Sequence, residues 1–238
     1  MRTVLALSVA LVFASVATAD WFDDFDSYAD QAAFDGVYGA GGMTLDQTKG
    51  YSDGQSISNV SRTSNLITLD EGYVGTDAAP LEFKVMTDVD VLHWWTRCYV
   101  GMYAYDEVGT LLDLFAVGFT SAGDQARYHY RAGADPLWGW GSIDDGSGDP
   151  VFERTTEWRE LKAIIKSTTI EFYVDGVLGN TITKPAAGTD VAYNRILLGT
   201  TYSSQENVWF DDLSISVIPE PATLTLLALG GLALLRRR

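Results

Sequence analysis

Apolar and polar positions alternate in short runs along residues 20–217, and Gly, Asp and Asn break one run from the next. Eight stretches read as β-strands: 81–86, 97–105, 111–119, 127–131, 158–165, 170–174, 195–198 and 208–217. No window sustains a helical period apart from a short turn over 31–34. Many short strands with turn signals and no proline-rich or charged linker predict one all-β body, a two-sheet antiparallel jelly-roll sandwich.

Two hairpins follow from the same pattern. Leu161, Ala163 and Ile165 alternate with charged neighbours, the chain turns near Ser167-Thr168-Thr169, and Ile170, Phe172 and Val174 return on one face. Asp175-Gly176 then supplies a two-residue turn in which both positions accept positive φ.

Alternation also sorts candidate chemistry by face. From Arg97 onward, Cys98, Val100, Met102 and Ala104 read as core, leaving Tyr99, Tyr103 and Tyr105 on the opposite side. Trp138 and Trp140 flank Gly139 in the same manner, and Tyr128 and Tyr130 share one side of a neighbouring run. Such rows suit stacking against the CH faces of sugar rings. Cross-strand pairing for stability alone accounts for them equally well. In the last run, alternation puts Asp211 on the side of Trp209, Leu213 and Ile215. A carboxylate there needs a partner. If the first and last strands are neighbours, Asp23, Asp24 or Asp26 meets Asp211 or Asp212, and clustered carboxylates call for a cation. A structural Ca2+ held by Asp24, Asp211 and Asp212 is one account. Backbone N–H donors, or a bulge that turns the aspartates outward, are the other.

No catalytic constellation emerges, so the body reads as non-catalytic. Retaining glycosidases need two carboxyls about 5–5.5 Å apart, and the close-set Glu153, Glu157 and Glu160 do not fall on one strand face. His93 and His129 are the only histidines and neither adjoins a Ser or Cys nucleophile motif. With Cys98 the single cysteine, neither a disulfide nor a zinc centre is expected.

The two ends differ from the body. Arg2, an apolar stretch over 4–16 and Ala17-Thr18-Ala19 form a signal peptide over residues 1–19. Residues 218–238 hold Pro219-Glu220-Pro221, a Leu/Ala/Gly-rich run and Arg236-Arg237-Arg238. That run is shorter than the roughly 20 residues of a comfortable membrane span, which suits transient membrane insertion with the arginines on the cytoplasmic side. Without Arg2 and the three terminal arginines, 12 of the 16 basic residues remain against 32 acidic ones, a net charge of −20. That excludes a nucleic-acid partner and disfavours acidic polymers unless divalent cations bridge them.

Three segments resemble known families. The Pro-Glu-Pro triplet, apolar run and arginine cap resemble the PEP-CTERM sorting signal. That implies export to the cell envelope or extracellular matrix and processing by an exosortase-type membrane protease. The stretches 157–178 (EWRELKAIIKSTTIEFYVDGVL), 196–200 (ILLGT) and 208–215 (VWFDDLSI) resemble the closing strands of concanavalin A-like, laminin-G-like jelly rolls. The last of these is also similar to the terminal strand of calcium-holding carbohydrate-binding modules. The resemblance implies an exported domain that binds exopolysaccharide or another glycan, with a hydrolase or lyase using unfamiliar residues as the alternative.

Overall fold

A computed structural model of the chain describes residues 21–52, 54–59, 64–90, 97–120, 126–133, 139–144, 152–184, 190–199 and 207–218. The signal helix and the hydrophobic C-terminal helix expected at the two ends lie outside these residues. The described part is a two-sheet antiparallel sandwich. One sheet has eight strands in the order β12 (Val177–Thr183), β11 (Thr169–Val174), β10 (Arg159–Ile165), β5 (Leu81–Val89), β14 (Val208–Val217), β3 (Ser56–Asn59) and β2 (Thr44–Asp46), with β1 (Trp21–Asp23) paired to β14. The other has six, in the order β4 (Ser64–Tyr73), β13 (Tyr193–Gly199), β6 (Cys98–Tyr105), β7 (Leu111–Phe119), β8 (His129–Ala132) and β9 (Trp140–Ser142).

The core fills the space between the sheets. Phe83, Leu161, Ala163, Ile170 and Phe172 reach it from the eight-stranded sheet; Val100, Met102, Phe115, Val117 and Ile196 come from the other. The hairpin expected between these two strands forms, with Leu161 opposite Val174, Ala163 opposite Phe172 and Ile165 opposite Ile170. Asp175 and Gly176 both take positive φ, 47° and 76°. That is the type I′ geometry whose twist matches the flanking strands.

The chain start is more structured than its pattern suggests. The turn expected over 31–34 is an eight-residue helix, α1 (Gln31–Tyr38), because the Asp30 carboxylate accepts the Ala33 N–H at 2.9 Å and caps it. Phe34 and Tyr38 of α1 pack with Phe25 in the core. Asp23 accepts the hydroxyls of both Tyr28 and Tyr38, which ties α1 to β1.

In β14 the simple alternation fails. The ladder to β5 slips between Asp211 and Ser214, and Asp212 takes a left-handed φ of 46°. This bulge adds a residue and reverses the facing of everything before it. Val208 and Phe210 therefore join Leu213 and Ile215 in the core. Trp209 and Asp211 lie on the other side, where the Trp209 indole donates to Asp46 and Lys49 stands 3.6 Å over its ring.

Candidate functional site

The outward face of the six-stranded sheet carries a second apolar cluster, separate from the core. Tyr99 and Tyr103 of β6, Leu114 and Ala116 of β7 and Leu197 of β13 form it, with Tyr105, Leu111 and Trp140 packed at its margin. Strand register explains its shape, since directly opposed residues share a face. One row runs Leu66, Leu197, Gly101, Ala116, Arg131, Trp140 across all six strands. The next runs Ser64, Gly199, Tyr99, Gly118, His129, Ser142. A third holds Thr68, Arg195, Tyr103 and Leu114.

Small residues at the centre let the large ones converge. Tyr99 and Trp140 stand on β6 and β9, three strand spacings or about 14 Å apart at the backbone. Their ring centroids are nevertheless only 5.0 Å apart, edge to face. Both side chains lean inward over Gly118 and Ala116, where larger side chains would obstruct them. Gly101 admits no replacement either, because a Cβ there would sit 2.1 Å from the Phe115 carbonyl oxygen. The floor is thus low in the middle, with aromatic groups on either side.

Two arginines lie against rings of this face, Arg131 itself buried. The Arg195 guanidinium carbon lies 4.2 Å from the Tyr105 ring centroid and that of Arg131 5.9 Å from the Trp140 centroid. His129 is buried beside them in its row. The three rows hold no carboxylate, and Arg195 meets none among the described residues. The outward side of the eight-stranded sheet is organised differently. There Lys84 pairs with Glu160, Lys162 with Glu82 and Lys166 with Glu171 at 3.8, 3.7 and 2.5 Å, a self-neutralising surface. Tyr103 is almost fully buried, and desolvation pushes its phenol well above the ordinary range while Arg131 pulls the other way. The phenol therefore stays protonated at any physiological pH and serves as a hydrogen-bond donor.

Tyr99, Tyr103, Tyr105 and Trp140 thus share one face, as expected; Trp138 lies outside the described residues. Tyr128 and Tyr130 do not join them. Tyr130 stacks on Phe172 across the core at 4.4 Å and Tyr128 packs on Phe119, so both point inward. Their strand is in the opposite phase, and it is His129 and Arg131 that face outward. Alternation along 127–131 marks those two as a pair; only pairing with β7 decides which pair is outside.

The aspartates at the strand ends come together only in part. β1 does pair with β14, with Asp23 opposite Leu213. Asp211 is fully buried, and its two oxygens accept the N–H groups of Tyr51 at 2.6 Å and Asp212 at 2.8 Å. Burial pushes its carboxyl up to about 7; those N–H groups oppose the shift, and the nearby charges of Asp212 and Asp26 add to it. Asp24 instead accepts the Asp26 N–H within its own turn. It is Asp26 that stands near Asp211. Among the described residues no three His, Cys, Asp or Glu side chains are grouped as a metal shell. The donor set of Asp24, Asp211 and Asp212 therefore does not fit a calcium ion as it stands.

Comparison with known proteins supports both ends of this description. Residues 217–238 match the family described as the PEP-CTERM protein-sorting motif. The chain therefore carries the sorting signal of an exported, surface-sorted protein processed by an exosortase. No curated protein matches the chain in sequence. Among solved structures, the cellulose induced protein Cip1 is 16% identical with a TM-score of 0.53, over 82% of this chain and 96% of that one. The alginate lyase Aly36B is 13% identical with a TM-score of 0.52, over 84% and 97%. The Crh5 transglycosylase in complex with NAG is 13% identical with a TM-score of 0.51, over 83% of each. At such identities the likeness is one of fold, the concanavalin A-like sandwich. No helix among the described residues is long and apolar enough to cross a membrane. Pro219, Glu220, Pro221, Arg236, Arg237 and Arg238 lie outside those residues.

Proposed function

We propose that this is a non-catalytic protein of the cell envelope or extracellular matrix whose body binds glycans on the outward face of the six-stranded sheet. The observation that carries this reading is the second apolar cluster, in which Trp140 and Tyr105 remain half-exposed at its two margins. A pyranose presents CH groups that stack on such rings, and its hydroxyls need neighbouring donors such as the Tyr103 phenol. The fold is shared with glycan-active proteins, which supports the choice of ligand class. Hydrolysis by paired carboxyls is disfavoured, since the three rows hold none.

Affinity electrophoresis of the exported protein in gels containing a panel of neutral and acidic polysaccharides tests the reading. Retardation by at least one polymer is expected, with Trp140→Ala and Tyr105→Ala each weakening it about tenfold, within the 1–3 kcal/mol of a buried aromatic contact. If no polymer retards the protein, or if both variants bind unchanged, this face is not the site. Shortening of the polymer chains on long incubation would overturn the non-catalytic assignment.

A further inference from the structure

We infer that the fold fixes where the sorting tail is cut: processing falls at or beyond Pro221, and the mature protein keeps Pro219-Glu220-Pro221 as a stub on β14. The inference is independent of the glycan reading and rests on how closely the sorting signal abuts the sheet. The matched signal starts at residue 217, which is the last residue of β14. Val217 is still paired with Leu81 of β5, and the Ile218 N–H donates to the Pro80 carbonyl at 2.8 Å. Pro219 has no N–H and cannot extend that ladder. The sheet thus runs up to the triplet with no linker between them.

β14 is not an edge that peels at little cost. It lies between β5 and β3 in the eight-stranded sheet, and β1 also pairs with it, Trp21 opposite Ile215. Leu213 and Ile215 are fully buried, and Val217 packs against the same core. A protease holds its substrate as an extended strand on both sides of the bond it cuts, and a backbone already paired in a sheet cannot supply that strand. A cut before Pro221 draws residues 217 and 218 into the enzyme, so the end of β14 must open first and the rate follows the small open population. A cut at or beyond Pro221 needs no opening, since the triplet itself fills the body side of the cleft. The membrane side agrees. The apolar run begins at Ala222, and the three residues between it and Ile218 span at most about 11 Å. β1 runs antiparallel to β14, so the chain before Trp21 and the chain after Ile218 leave the sheet at one end. That end faces the bilayer while the tail is in place, and the triplet is the stretch open to a membrane protease between sheet and bilayer.

Mass spectrometry of the protein recovered outside an exosortase-bearing cell, digested on the N-terminal side of aspartate, reads the terminus directly. The last fragment should start at Asp212 and contain Glu220 and Pro221. A fragment that ends at Glu220 or earlier overturns the inference and leaves the sorting assignment standing. An intact tail through Arg238 overturns both. A locked variant tests whether the docked strand permits the cut. Val217 and Leu81 are directly opposed, which brings their Cα atoms to about 4.5–5.5 Å, within disulfide range. Leu81→Cys with Val217→Cys, in a Cys98→Ala background, should close a bond across the end of β14, verified by the loss of two hydrogens in the intact mass. The locked protein should be processed to the same terminus, within about twofold of the parent's rate, because the cut needs no opening. Locked protein that accumulates with its tail uncut, while Leu81→Cys alone is processed, shows that β14 must peel first and overturns the inference. If the pair does not close or the variant is not exported, the terminus of the parent decides alone.

Discussion

Asp211 should make the domain less stable as pH rises through neutrality. Its side chain is fully buried and its carboxyl is pushed up to about 7, chiefly by desolvation, with the charges of Asp212 and Asp26 adding to the shift. In the unfolded chain the same group titrates near 4. Between those values the folded state holds a proton that the unfolded state has lost, so stability is greatest below about 4 and declines until the folded-state group has ionised. A displacement of about three pH units corresponds to about 4 kcal/mol in all, of which about 2 kcal/mol falls between pH 5.5 and pH 8. That window lies above the ordinary carboxylates, which keeps the rest of the acidic surface out of the measurement.

Urea unfolding of the exported protein at half-unit steps from pH 5.5 to 8, in EDTA and at constant ionic strength, reads the effect directly. Asp211→Asn is the control, and it subtracts whatever the two histidines contribute. Both Asp211 oxygens accept N–H groups, so an amide must turn its NH2 toward one of them and loses that bond. The variant should therefore be less stable than the parent at pH 5.5 by about 1–3 kcal/mol, the cost of a buried unmade hydrogen bond. Its stability should then change little with pH, and the two curves should converge toward pH 8. A parent whose stability is flat or rising across the window would refute the reasoning, as would an equal slope in Asp211→Asn.

Other expectations follow from the packing and from the chain ends. Phe172→Ala should cost about 3–5 kcal/mol in urea unfolding, since the ring is fully buried and stacked on Tyr130; a loss below about 1 kcal/mol would refute its core position. Calcium and magnesium at matched ionic strength should raise the thermal midpoint equally, by screening, because no group of three carboxylates gathers among the described residues; a larger response to calcium, abolished by Asp211→Asn, would place a metal there. Mass spectrometry of protein recovered outside the cell should find a start near Asp20 and no peptide containing Arg236. An intact C terminus in that material would refute the processing.

The sequence discloses the middle strands of each sheet more clearly than the edges. Around Phe172, strict alternation in Leu161, Ala163, Ile165 and in Ile170, Phe172, Val174 discloses two paired strands and their inward face, because both sides of that hairpin are constrained by one core. β4 was not legible, and β12 only as the return strand that the Asp175-Gly176 turn implies. They are edge strands, and with one neighbour each they need little apolar surface: β12 is exposed or half-exposed along its whole length. β2 and β3, at three and four residues, are too short to display a period. The bulge in β14 was open from the sequence as one of two accounts, for another reason. Asp212 in a left-handed conformation inserts one residue with no change in composition, and that single insertion transfers Asp211 from the core side to the other face.

The outward face of the six-stranded sheet was half legible for a related cause. Alternation assigns each residue to one of two sets but does not say which set lies inside. For β6 the choice was plain, since Cys98, Val100, Met102 and Ala104 are uniformly apolar and the other set is tyrosine-rich. For β8 both sets mix apolar bodies with polar tips, Tyr128 and Tyr130 against His129 and Arg131. The aromatic pair won the interior because Phe119 and Phe172 offered it ring partners there. That contest placed Arg131 beside Trp140 on the outward face. Alternation alone names the two sets; the ring partners available on the neighbouring strands decide which set is buried.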